Sequence, residues 1–80
     1  MAYEGIVSVF EKAIGRALKK WTEDEKERVL GMVRSVIKKL SEGRITSEDA
    51  FYELVGIAYE HLVPITPRDE AELKKLLGLK

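Results

Sequence analysis

Apolar residues recur at three- and four-residue intervals along most of this chain, and nowhere do they alternate with period two over a useful length. That spacing marks helices that each bury one face. Over residues 3–20 the apolar face holds Ile6, Phe10, Ala13, Ile14, Ala17 and Leu18, with Trp21 just beyond. Over residues 23–40 it holds Val29, Leu30, Val33, Val36, Ile37 and Leu40. Over residues 47–62 it holds Ala50, Phe51, Leu54, Ile57, Ala58 and Leu62. A shorter segment, residues 67–77, carries Ala71, Leu73, Leu76 and Leu77, followed by Leu79; these need burial on their own chain or on a neighbour. The pattern predicts an all-α fold: a small compact bundle of three long helices plus a short C-terminal fourth, in a single domain over residues 1–80.

Start and stop signals fall between these segments. Thr22 with Glu25 makes a capping box, and the acidic run from Glu23 suits a positive helix N-terminus. Gly43 is placed to end the second helix in a left-handed conformation. Pro64 stops the third helix. Thr66 as N-cap, Pro67 at the first helical position and Asp69 at the third announce the fourth, and Gly78 ends it.

The stretch "SEGRITSED" at residues 41–49 admits three readings. With Gly43 at position 6 of a calcium loop, Ile45 falls at 8 and Asp49 at 12, but Lys38 and Leu40 then occupy ligand positions 1 and 3 and supply no oxygens. As a DNA-binding elbow it would deliver a recognition helix carrying Glu48, Asp49, Glu53 and Glu60 with no Lys or Arg, which phosphates repel. As a helix cap every residue is explained: Thr46 or Ser47 at the N-cap, acidic residues in the first turn, and Ile45 packing back onto the new helix.

Composition then narrows the function classes. The chain contains no Cys, so disulfides and thiolate metal sites are excluded, and its one histidine, His61, excludes any site needing several imidazoles. It also contains no Asn and no Gln, and 35% of it is charged. Depleted thermolabile amides with abundant Glu and Lys point to a heat-adapted protein, from a hyperthermophile or its virus. The early apolar run is broken by Glu4, Glu11 and Lys12 and does not read as a signal peptide, so a cytoplasmic location is expected, with no membrane contact. Net charge is zero, yet unevenly spread: residues 1–44 carry ten basic and seven acidic side chains, residues 45–80 four and seven, giving +3 and −3.

Two surfaces stand out. Gly15, Gly31 and Gly56 sit inside predicted helices, away from the core face, where each costs about 1 kcal/mol relative to Ala. Around Gly56, Tyr52, Tyr59 and Val63 share the outer side of the third helix; tyrosines flanked by carboxylates suit a protein interface. The second surface is basic: Lys12, Arg16, Lys19, Lys20, Arg34 and Lys38 are candidate phosphate contacts, although cations near helix C-termini also follow from the macrodipole. Catalysis finds no support. His61, near the core edge of its helix, reads as a hydrogen-bonded structural histidine, no serine has an evident base, and there is no glycine-rich phosphate loop. No catalytic residue, metal, cofactor or small-molecule substrate is expected. The sequence points to a non-enzymatic module that binds a protein partner or forms a homo-oligomer; the alternative is a nucleic-acid-associated protein using a basic face on the first two helices.

Overall fold

The computed structural model of the chain describes residues 3–79; Met1, Ala2 and Lys80 lie outside the described residues. Four helices follow in order: α1 (Glu4–Gly15), α2 (Glu23–Ser41), α3 (Ser47–Glu60) and α4 (Pro67–Leu76). They pack as a ring in which the neighbours are α1–α2, α2–α3, α3–α4 and α4–α1. Ile6, Phe10, Leu30, Leu54 and Leu73 fill its centre, each 0 or 1% exposed. The all-α bundle expected from periodicity is therefore the fold. The fourth helix packs on its own chain: Leu73 and Leu77 are buried, and Leu76 lies so close to Gly5 that a Cβ there would meet its side chain at 3.0 Å.

Three helices start from the same device. Thr22, Thr46 and Thr66 each accept a hydrogen bond, at 3.1 Å, from the backbone N–H three residues on, and the acid at that position accepts one from the threonine's own N–H. These boxes satisfy donors that every helix start leaves open. Thr46, not Ser47, caps α3. "SEGRITSED" is thus a helix stop and a helix start, with Gly43 at φ 73° between them.

The expected first helix was too long. It ends at Gly15, not residue 20, and the segment from Arg16 to Thr22 forms the connection to α2. The reason is reach. Helices in contact lie about 8–10 Å apart, and an extended residue spans at most about 3.6 Å. Only two residues separated the expected helices, too few to turn back. The unwound segment is anchored instead. The Arg16 guanidinium donates to Asp69 and, at 3.2 Å, to the carbonyl of Pro64, while the Lys19 ammonium donates to Glu25 at 2.8 Å. Leu18, expected in the core, points fully into solvent, and Ala17 and Trp21 are only partly buried. Val9, outside the expected apolar face, is buried in the core.

The end of α3 also differs from expectation. The helix closes with Val63 N–H donating to the Ala58 carbonyl at 2.8 Å, a six-residue loop that places Leu62 at φ 58°. This left-handed step reverses two assignments. Leu62, expected inward, is 73% exposed, and Val63, expected on the outer face, is 4% exposed.

Candidate protein interface

The outer face of α3 follows from the residues that face inward. Ala50, Phe51, Leu54 and Ala58 are buried, so at about 100° per residue the opposite side carries Tyr52, Gly56 and Tyr59. Tyr52 is 72% exposed and Tyr59 68%. Tyr52 is held at its base by an edge-on contact with the buried Phe51, ring centroids 5.9 Å apart. Between the tyrosines, a Cβ built on Gly56 would meet nothing within 4 Å. The strip is therefore two aromatic projections with a notch between them, and no part of the described chain fills the notch. Val63, one of the four residues expected here, lies in the core instead, and Leu62 is exposed just past the helix end.

The missed exchange between Leu62 and Val63 had a signal. A residue preceding proline is driven out of the α region, so Val63 before Pro64 does not belong on a helical wheel. Nothing comparable marks Leu62, because left-handed stops usually carry glycine.

The charges on α3 itself are all acidic, while cations of other elements stand near both of its ends, Lys74 beside Glu48 and Lys19 and Arg28 beside Glu60. α3 carries Glu48, Asp49, Glu53 and Glu60 and no cation in its last turn. Asp49 is used by the capping box, and Glu53 accepts from Lys39 of α2 at 2.7 Å. Glu48 and Glu60 remain exposed near the two ends of the tyrosine strip, outside any ion pair among the described residues.

The six candidate phosphate contacts are not gathered into one face. Lys12 borders the cleft between α1 and α4 beside Asp69 and Glu72, whereas Arg34 borders the cleft between α1 and α2. Arg16 pairs with Asp69, Lys19 with Glu25, and Arg34 approaches Glu27 at 3.8 Å. Lys20 and Lys38 are exposed. Half of the set must leave its own carboxylates before meeting a phosphate.

A further cleft, of about 180 Å³, opens where the α1–α2 connection meets the end of α3. Trp21, Glu25, Arg28, His61 and Leu62 line it. The Lys19 ammonium sits 5.1 Å above the Trp21 ring. Its hydrogen bond to Glu25, together with those from Thr22, lowers the Glu25 carboxyl to about 2. Burial works to raise Asp69 in the neighbouring box, but the Thr66 amide and Arg16 together hold it below its ordinary value. His61 caps α3 through its backbone; its ring makes no hydrogen bond among the described residues, correcting the expected hydrogen-bonded histidine. No neighbour orients that ring toward a nucleophile. Compared with known protein families, with curated proteins and with solved structures, the chain matches none.

Proposed function

We propose that this domain is a non-enzymatic protein-binding module of a heat-adapted system, and that the outer face of α3 is its docking surface. The observation that carries this reading is the exposure of Tyr52 and Tyr59 on the side of α3 opposite the core, with Leu62 exposed just past the helix end. Tyrosine offers a broad apolar ring, a polar tip and little conformational freedom to lose, the properties that enrich it in binding hot spots. The flanking carboxylates select for a partner surface that is cationic. Gly56 supports the same reading, since it costs helix stability and relieves no contact within the described chain.

The test compares two immobilised chains, the wild type and Tyr52→Ala/Tyr59→Ala, matched by circular dichroism and exposed to a soluble extract of the source organism. The wild type is expected to retain protein that the variant loses, whether foreign chains or further copies of its own. Equal retention on both would remove the α3 face as the docking surface.

A further inference from the structure

We infer that the partner seated on the α3 face is the groove between α1 and α2 of a second copy of this chain, so that copies join head to tail. This rests on the protein-binding reading and names its partner. The first argument concerns like charges. In a two-fold pairing of α3 with α3, Glu48 of one copy would face Glu60 of the other if the helices ran antiparallel. If they ran parallel, each glutamate would face its own equivalent. Both arrangements bring exposed carboxylates together, which disfavours a symmetric dimer through this face.

The surface that receives the strip must therefore be cationic, and it must be concave and apolar to take a tyrosine ring. The groove between α1 and α2 is concave and apolar, and the cations at its edge, Arg34 and Lys38, outnumber its one acid, Glu4. It has a volume of about 320 Å³ and is lined by Tyr3, Glu4, Val7, Arg34 and Ile37. Tyr3, Val7 and Ile37 are partly buried, packed on the core beneath with their outer sides open. Arg34 stands on the rim with only the long contact to Glu27, and Lys38 is exposed one turn further along α2. A tyrosine ring from α3 covers Val7 and Ile37, and its flanking glutamate meets Arg34 and Lys38 in charge-assisted hydrogen bonds. The opposite charges of the two halves of the chain, +3 over residues 1–44 and −3 over 45–80, give the same polarity to the whole molecule. Donor strip and acceptor groove lie on different helices, so a pair keeps one donor, on one copy, and one acceptor, on the other, unused. Association then continues as a ring or an open chain instead of stopping at two.

Two variants separate the faces: Tyr52→Ala/Tyr59→Ala removes the donor, and Arg34→Glu/Lys38→Glu reverses the acceptor. Both lie on the surface, and circular dichroism checks that they keep the wild-type helix content. Light scattering of the wild type at low salt, from about 10 μM to about 1 mM, is expected to show a mass rising above the 9.1 kDa of one chain, and falling again as salt screens the pairing. Each variant alone is expected to stay at one chain. Their equimolar mixture is expected to form a two-chain complex and nothing larger, because only one intact donor and one intact acceptor remain. A wild type that stays at 9.1 kDa throughout overturns the inference, while the extract experiment still decides the α3 reading on its own. Self-association of the Arg34→Glu/Lys38→Glu variant alone overturns it in favour of α3 against α3. A mixture that forms no complex overturns it as well.

Discussion

The turns that close α2 and α3 share the hydrogen bond that closes a six-residue loop and have different residues at their centre. After α2, Arg44 N–H donates to the Lys39 carbonyl at 2.9 Å with Gly43 at φ 73°; after α3, Val63 N–H donates to Ala58 at 2.8 Å with Leu62 at φ 58°. Glycine occupies the left-handed region freely, whereas leucine sets its Cβ against the following carbonyl at a cost of roughly 1–2 kcal/mol. What differs is the residue that follows. Arg44 is exposed and Ile45 after it is only partly buried, a weaker anchor, so the turn residue itself favours the conformation. Val63 is buried, worth about 1.5–3 kcal/mol, and Pro64 forbids further helix. The stop after α3 is dictated from downstream, and the left-handed step it imposes on Leu62 leaves an apolar side chain exposed beside the Trp21 cleft.

The largest effect expected from disturbing this contrast is at Val63. Val63→Ala should destabilise the domain by about 2 kcal/mol in urea unfolding, since it empties a packed site; a change near zero would place the downstream anchor elsewhere. Next come the two turn residues, with opposite signs. Gly43→Ala should cost about 1 kcal/mol, and Leu62→Gly should gain about 1 kcal/mol, both read from the unfolding midpoint. Equal signs would mean the turns are not governed by the same backbone preference. The Leu62→Gly variant should also bind less through the α3 face, separating what the leucine costs the fold from what it adds to the surface.

The smallest effect comes from acid, and it extends the contrast to the helix starts. Glu25 and Asp69 each combine a capping box with a cation from the α1–α2 connection, and their carboxyls lie below their ordinary values. Groups lowered in the folded state stabilise it fully above their unfolded pKa and lose that contribution as pH falls through the folded one. Taking Glu25, the loss runs from about 4.5 down to about 2. Amide exchange at residues 16–25 should therefore quicken across that window, while the amides around the Thr46 box, where Asp49 has no such cation, change less. Uniform quickening at both starts would sink the distinction.

Much of the fold was legible in the sequence because it is written in short-range signals. Spacing gave four helices, and Thr-x-x-Glu or Thr-x-x-Asp marked three of their starts. Gly43 marked one stop. The signals that failed share a cause: the outcome is decided by groups distant in the chain. Gly15 is the one local sign that α1 ends there, and it reads equally as an internal glycine, because the need arises from turning back to α2 and from Asp69 and Pro64, about fifty residues away, holding Arg16. The basic face failed similarly, since helical wheels rank residues on one helix and do not show Asp69 or Glu25 arriving beside them. The tyrosines of α3 were legible because their exposure depends only on which side of their own helix is apolar.

Trp21 gives the molecule an optical property. It is the one tryptophan of the chain, and its indole N–H is enclosed at the α1–α2 connection with no acceptor among the described residues. The ring itself is only partly buried and lines a cleft, so its emission shifts when water is displaced from that cleft. Leu62 shares its cleft with Trp21, while Tyr52 stands about two helical turns before the end of α3 at Glu60. Intrinsic fluorescence therefore reads position as well as occupancy: a ligand settling at the Leu62 end of the strip alters the signal, and one confined to the Tyr52 end leaves it unchanged.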